Sequence, residues 1–327
     1  MEDEERGMGA GVVWSSEVDD VVQGDMTAAI AYATPAGGAV VTAVSTLGLG
    51  NREMGEFTFT TSLGLPKKLE RILRDPRVAI AYHARDHGFT HSSRYVMGQG
   101  NARVELTPSK KRLEGVFQQA EKFVGELKHG FLWDRLLREY YLDRVFVDVP
   151  LIRLCEWDTL EAAGAPTVTG EPLPGLPTPQ SPPKGGTAPR VNMPKVARKV
   201  ERLPHRLIGF VGADGYPVIV PVRIDGHDAG GFRLTAASGL IPPGGRRAGL
   251  LAHGYRPQFV GISTRSMTGW LVVEVDGTIT YAPHTAKGWS APPLKTVLTV
   301  MNGLLAKVGY RRAMRTGLIE ELNRLQK

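Results

Sequence analysis

The stretch EFTFTTSLGLPKKLERILRDPRVAIAY, residues 56–82, decides the fold of this chain. Phe57 and Phe59 alternate with threonines, which is the two-residue period of a half-buried strand. Pro66 suits the first turn of a helix, where its missing N–H costs nothing, and Pro76 ends that helix. An apolar, β-branched run follows, as in a second strand. The stretch therefore predicts a strand, a tight loop, a short helix and a strand, in that order.

The start of this helix carries groups that suit an anion. Two lysines stand in its first turn and three hydroxyl residues end the strand before it: Lys67, Lys68, Thr60, Thr61 and Ser62. Backbone N–H groups at a helix N-terminus attract anions, and nearby ammonium and hydroxyl groups add to that attraction. We therefore expect an anion site here, while a solvated lysine pair and ordinary capping hydroxyls fit the same residues.

Length and composition indicate a globular protein of two domains. The chain has 327 residues, enough for two domains of ~150 residues, with 42% hydrophobic and 22% charged residues. It shows no run long and apolar enough for a membrane helix, and the acidic start MEDEERGMG is unlike a secretory signal. A single cysteine, Cys155, excludes an internal disulfide framework. We expect a cytoplasmic protein without a membrane span.

The formal net charge of +7 favours anionic partners. Lysines and arginines are scattered among acidic residues, which is typical of a solvated surface and not of a nucleic-acid site. The expected partners are therefore an anionic cofactor and a small-molecule substrate, without nucleic acid.

A proline-rich segment divides the chain. Residues 165–190 contain eight prolines and no apolar periodicity, which predicts an extended join or a segment wrapped along a domain surface. We place an N-terminal domain at residues 1–162, a linker at 163–192 and a C-terminal domain at 193–327.

The two flanking parts resemble each other. GEFTFTTSLGL at residues 55–65 shares five of eleven positions with GGFRLTAASGL at residues 230–240, in the same strand–turn–strand–strand order. This similarity suggests an internal duplication. Many short strands with few helices predict a mainly β fold of the α+β class, with two small β-barrels that carry helices.

Residues 26–157 resemble the split β-barrel family of the pyridoxamine 5'-phosphate oxidase type, in the branch that binds the deazaflavin coenzyme F-420. The resemblance rests on three motifs: TTSLGLPKK at 60–68, RDPRVAIAY at 74–82 and RYVMGQGNARVEL at 94–106. It implies two tandem six-stranded split β-barrels of the FMN-binding type. It also implies that Lys68, with Lys67 beside it, binds the cofactor phosphate. The other cofactor-binding residues that it implies are Thr60, Thr61, Ser62, Thr42, Ala43, Val44, Ser45 and Tyr95.

The resemblance implies an oxidoreductase that transfers a hydride from reduced F-420 to an unsaturated small molecule. Such chemistry needs placement of the reactants more than a side-chain acid or base, and no catalytic side chain stands out. FMN, in an enzyme like pyridoxamine-phosphate oxidase, is the alternative cofactor, and haem is a further one. A non-catalytic protein that binds or carries a flavin, deazaflavin or haem is the alternative of another class, and a cofactor-free remnant is the third.

The second half departs from the pattern where the lysines would stand. IPPGGRRAG at residues 241–249 replaces the lysine-bearing helix, and its prolines and glycines disfavour a helix. We therefore expect one functional and one degenerate cofactor site. The two barrels would form a pseudo-dimer within one chain, which can then act as a monomer.

Three histidines at four-residue intervals, His83, His87 and His91, would share one face of a helix and could then bind a metal. Their sequence context is a strand end followed by a turn, which favours loop histidines. We expect no metal site.

Overall fold

The computed structural model describes residues 12–125, 144–292 and 295–325, and of residues 295–303 and 305 it describes the backbone only. The helices are α1 Ser16–Gly24, α2 Pro66–Arg74, α3 Lys110–Val124, α4 Met193–Val200, α5 Lys295–Arg315 and α6 Leu318–Leu325. The first eight strands are β1 Thr27–Ala33, β2 Ala39–Ser45, β3 Glu56–Ser62, β4 Arg77–Tyr82, β5 Tyr95–Asn101, β6 Arg103–Glu105, β7 Arg144–Trp157 and β8 Thr167–Gly170. The others are β9 His205–Val211, β10 Pro217–Pro221, β11 Arg223–Asp228, β12 Gly231–Thr235, β13 Gly244–Gly254, β14 Ser263–Val273 and β15 Ile279–Ser290. The fold is mainly β with helices, as expected.

Within the described residues, six strands of the first half form a closed ring. They follow the order β3-β2-β1-β4-β5-β7, and β7 pairs back with β3 from Glu56↔Pro150 to Ser62↔Arg144. The link between β2 and β3 is the residue pair Ser45↔Thr60. The long strand β7 also pairs with β6 and β8.

The second half forms a separate sheet in the order β10-β9-β13-β14-β15-β12-β11. Both sheets have the same circular order when the strands are matched one by one: β9 to β1, β10 to β2, β12 to β3, β13 to β4, β14 to β5 and β15 to β7. Among the strands that the structure describes, the second sheet has no pairing between β10 and β12, where the first sheet has its single-pair link. The common order favours the internal duplication, which stays a prediction.

Each half has its own apolar core, and a third apolar cluster lies between them. Phe57, Phe59 and Ile80 belong to the first core, and Phe232 and Tyr281 belong to the second. This third cluster is formed by the outer faces of the two sheets, and we call it the contact between the halves. Its buried members are Ala29, Ala31, Val41, Ala79, Ala81, Tyr95, Met97, Cys155, Trp157, Ala162, Leu207, Ile219 and Leu251. Its alanines let the two sheets approach closely.

Strands β5 and β6 are separated at Ala102, whose N–H donates to the carbonyl oxygen of Pro76 at 2.8 Å. Helix α5 runs to Arg315, and the last helix, α6, begins at Leu318. The segment at residues 241–249, which aligns with the lysine-bearing helix, leads into β13.

The C-terminal helices cover the first half. Ala313 of α5 and Leu322 of α6 are buried in the first core, and Leu318 and Ile319 pack against it. Near the start of α2, a Cβ on Gly309 would lie 3.4 Å from the Cα of Gly64. Helix α5 therefore passes directly beside the loop between β3 and α2.

The proline-rich segment wraps along both halves, which was one of the two arrangements expected. The N–H of Gln180 donates to the carbonyl oxygen of Gly245, and its side-chain amide donates to that of Gly37. The N–H of Arg190 donates to the carbonyl oxygen of Pro283. In the part of the chain that the structure describes, no helix is long and apolar enough to cross a membrane.

Candidate functional site

Helix α2 places Lys68 at the end of the first barrel. The apolar side chains of Leu69 and Ile72 are buried in the first core, which fixes the helix against the barrel. The loop before it is held by the N–H of Gly64, which donates to the Ser62 hydroxyl at 2.8 Å. No side chain of the described residues caps the N-terminus of α2. The start of α2 follows the end of β3 after a short loop, and we call Thr60, Thr61, Ser62 and Lys68 the anion corner.

Lys68 is a buried cation. Its side chain is largely covered, with the residue 8% exposed, whereas Lys67 is exposed to solvent. Burial lowers the pKa of the Lys68 ammonium from its usual 10.5 to about 8, and desolvation is the only cause of this change. Within the described residues, therefore, no carboxylate compensates for the loss of water around this charge. The ammonium stays mainly protonated at neutral pH.

Arg144 brings a second, half-buried cation to the end of β3. It is the first residue of β7, opposite Ser62 in the register, and its Nη1 lies 3.5 Å from the hydroxyl of Thr60. Burial lowers the pKa of Arg144 to about 10, so its guanidinium remains charged. Sequence reasoning missed this residue because it lies far from Lys68 along the chain. Only the pairing of β3 with β7 brings it to the site.

The corner also contains unsatisfied hydroxyls. The Thr61 hydroxyl is buried without a hydrogen-bond partner among the described residues, and the same holds for the Thr42 hydroxyl on β2. Buried polar groups are normally hydrogen-bonded, so these two hydroxyls are exceptions. Because side chains alternate along a strand, Thr61 faces the inside of the barrel with Phe59, away from Thr60 and Ser62. Ser45 joins the two strands here through its pairing with Thr60.

The four residues expected to contact the cofactor ring do not share one face. Side chains alternate along a strand, so Thr42 and Val44 lie on the opposite side of β2 from Ala43 and Ser45. Val44 belongs to the first core, while Ala43 packs against the contact between the halves. A ring on β2 can therefore touch side chains of only one of these two pairs, together with the backbone.

The second half closes much of β2. The Ser266 hydroxyl donates to the carbonyl oxygen of Val41 at 2.8 Å. A Cβ on Gly249 would lie 2.6 Å from the carbonyl oxygen of Ala39, and one on Gly209 would overlap the Val41 side chain. Only glycine allows these approaches. The start of β2 is thus sealed by the second half.

Tyr95 lies elsewhere. It is fully buried between the halves, where its hydroxyl donates to the carbonyl oxygen of Ile219 at 2.8 Å. Its strand, β5, is separated from β2 by β1 and β4 in the ring. The structure therefore pairs Ser45 with Thr60 and Arg144 with Ser62 at the end of β3, and leaves Tyr95 apart from them.

The histidines are grouped differently from their sequence spacing. His83 packs against His253 and His205 of the second half, with ring centroids 4.8 and 5.7 Å away. Among the residues that the structure describes, no group of three or more histidine, cysteine or acidic side chains could hold a metal ion.

Comparisons with known proteins find likenesses among solved structures. No protein-family model and no curated protein matches the chain. A conserved hypothetical protein of Mycobacterium tuberculosis is 24% identical, with 46% of this chain and 89% of that chain covered and a TM-score of 0.34. An F-420 reductase is 17% identical, with 42% of this chain and 94% of that chain covered and a TM-score of 0.31.

A third structure is a Clostridium acetobutylicum protein related to general stress protein 26, of the pyridoxinephosphate oxidase family. It is 10% identical, with 44% of this chain and 87% of that chain covered and a TM-score of 0.31. Each of these likenesses covers less than half of this chain.

Proposed function

We propose that the first barrel binds a phosphate-bearing flavin-type cofactor at the anion corner. The observation that carries this proposal is the buried ammonium of Lys68, whose loss of solvation no carboxylate of the described residues offsets. A buried charge is costly unless a partner of opposite charge compensates for it. A bound phosphate is such a partner.

The residues of the anion corner fit a phosphate group. Lys68 and Arg144 supply positive charge, and both side chains can donate hydrogen bonds. Phosphate oxygens accept several such bonds, and charge-assisted ones are the strongest. Lys68 would hold the phosphate, with Arg144 orienting it.

The preferred cofactor is F-420, with FMN as the alternative, in an oxidoreductase acting on an unsaturated small molecule. A reduced deazaflavin supplies the hydride when it is bound. The chain's own part is to place the ring beside Ser45 and Ala43 and to keep water away with the strands of the second half. In this proposal the domain at residues 1–162 binds the cofactor, and the one at 193–327 is a degenerate barrel that closes the site in a monomeric, cytoplasmic protein.

A second candidate, a non-catalytic cofactor carrier, is favoured by the close packing on β2. Gly249 and Ser266 of the second half lie directly against Ala39 and Val41. This packing restricts the space in which a substrate could meet the ring, whereas a carrier needs no such space.

Titration with F-420, FMN and haem tests the proposal, with the cofactor absorbance or tryptophan fluorescence as the readout. We expect micromolar binding of F-420 or FMN. Lys68→Ala should weaken it by ~1.5–3 kcal/mol, or roughly 10- to 150-fold in Kd, the usual effect of losing a hydrogen bond to a charged group. Lys67→Ala is the matched control, because Lys67 is exposed.

The outcomes separate the alternatives. If no cofactor binds, or if Lys68→Ala binds as tightly as the wild type, the anion corner is not the cofactor site. If F-420 or FMN binds but its reduced form is never oxidised by a panel of unsaturated acceptors, the carrier is favoured over the enzyme.

A further inference from the structure

Two buried histidines meet at the contact between the halves. His83 directly follows β4 of the first half, and His253 lies in β13 of the second. Their Nε2 atoms are 2.6 Å apart, and both side chains are buried, with His253 completely inaccessible. Neither residue belongs to the anion corner, so the proposed function leaves this pair without a role.

The hydrogen bonds determine which nitrogen carries the proton. Nδ1 of His83 lies 3.1 Å from the carbonyl oxygen of Ala81, and because a carbonyl only accepts, this nitrogen must donate. Nε2 of neutral His83 is therefore an acceptor, and Nε2 of His253 donates to it. Nδ1 of His253 then has a lone pair, which is buried without a partner among the described residues. The closed pair thus depends on one N–H···N bond.

The surroundings of the pair disfavour the uptake of an additional proton. Burial lowers the pKa of His83 to about 3 and that of His253 well below its usual range, and the neighbouring His205 adds to both effects. Arg85, on the loop after β4, lowers the pKa of His83 further. A proton added to this closed pair would leave a positive charge buried at the contact between the halves.

The groups packed around the pair do not offset this charge. The Asp86 carboxylate is bound to Nε2 of His205 at 2.7 Å, and the ring of Tyr255 stacks over His253 at 6.2 Å. A metal ion is not the natural occupant, because no set of side chains in the described residues could hold one. The remaining ligand for these nitrogens is the proton.

We propose that the His83–His253 pair is a proton-operated latch between the two halves of the chain. With one bridging N–H the latch is closed. A proton taken up at Nδ1 of His253 leaves this bridge in place but buries a positive charge, and a further proton on Nε2 of His83 sets two N–H groups against each other, so the pair takes up protons favourably only when the contact opens. In the opened contact each imidazole reaches water and regains a pKa near 6.5, so protons favour the open form as the pH falls below about 6.

Cys155 is a native reporter of this opening. It is the single cysteine of the chain, it is fully buried, and it lies in the same contact between the halves. Burial also raises the pKa of its thiol to about 12, which keeps it unreactive in the closed form. A dithiodipyridine reagent, which reacts with thiols in acid, therefore measures how often the contact opens.

The experiment compares Cys155 labelling of the full chain at about pH 7 and pH 5, normalised to the denatured chain, with far-UV circular dichroism on the same samples. We expect labelling to rise at least ~10-fold with unchanged dichroism, since each proton taken up favours the open form by up to tenfold per pH unit. The double variant His83→Phe/His253→Leu, which cannot take up these protons, should show no rise. His284→Ala alters a half-buried histidine of β15 outside the pair and should keep the wild-type profile.

Two results would overturn the latch: an equal rise in the double variant, or a rise that coincides with loss of the dichroism signal. If the double variant does not fold, His253→Gln replaces it. Its amide N–H can still donate to His83, but it cannot gain a proton, so it must reduce the acid rise for the proposal to stand.

Discussion

The buried charge of Lys68 predicts that Lys68→Met stabilises the cofactor-free protein. Methionine fills a similar volume without a charge, so the variant removes an ammonium whose desolvation nothing in the described residues offsets. The fall in pKa from 10.5 to about 8, at 1.36 kcal/mol per pKa unit, corresponds to about 3 kcal/mol of lost stability at neutral pH. Relaxation around the side chain reduces the measurable gain to ~1–3 kcal/mol.

The pH dependence of this gain identifies its cause. The folded-state pKa of Lys68 lies below the unfolded value, so between about pH 8 and 10.5 the unfolded chain binds more protons and wild-type stability rises with pH. Burial of the charge no longer destabilises the wild type once the ammonium is neutral. The advantage of Lys68→Met should therefore be largest near neutral pH and should shrink towards about pH 10.

Urea unfolding of the wild type, Lys68→Met and the exposed control Lys67→Met at both pH values measures this difference. Other titrating groups change the free energy of unfolding of all three proteins equally with pH, so their effects cancel in the differences between the proteins. If Lys68→Met is no more stable than the wild type near neutral pH, or if its advantage does not change with pH, the ammonium is already compensated and the reasoning about the anion corner fails.

Three further predictions concern the same site and its closure. Binding of F-420 or FMN should weaken as the pH rises through about 8, where Lys68 loses its proton, and fluorescence titration of Lys68→Ala should lack this loss. Arg144→Met should weaken binding at least ~10-fold and Arg144→Lys less, as isothermal titration can measure; equal binding in all three proteins would remove this guanidinium from the site. Gly249→Ala should destabilise the chain in urea unfolding, because its Cβ would lie 2.6 Å from the Ala39 carbonyl oxygen. The control Gly115→Ala lies in an open position of α3 and should stabilise the chain by up to ~1 kcal/mol. Equal effects of Gly249→Ala and Gly115→Ala on stability would contradict the close packing of the second half on β2.

The residues of the anion corner could be predicted because their sequence signals lie close together along the chain. The alternation of Phe57 and Phe59 and the positions of Pro66 and Pro76 are local signals, and β3, α2 and β4 follow them closely. Lys68 could be singled out because its helix starts directly after the strand that carries the hydroxyls. These features depend on neighbours along the chain, which a single sequence displays.

The remaining features depend on partners distant in sequence. Arg144 reaches Thr60 only through the register of β3 and β7, and no composition or period reveals a register between such distant segments. His83 was grouped with nearby histidines, whereas its partner His253 lies in the other half. Tyr95 was expected beside the cofactor, but its hydroxyl is engaged by Ile219 of the second half.

The burial of Leu322 in the first core has a consequence for synthesis of the chain on the ribosome. Helix α6 follows the entire second half in sequence, yet it completes the apolar core of the barrel that is made first. Domains normally fold one by one as they emerge, starting with the N-terminal one. Here the first barrel emerges with part of its apolar core uncovered, and this surface stays exposed to water until α6 has been made.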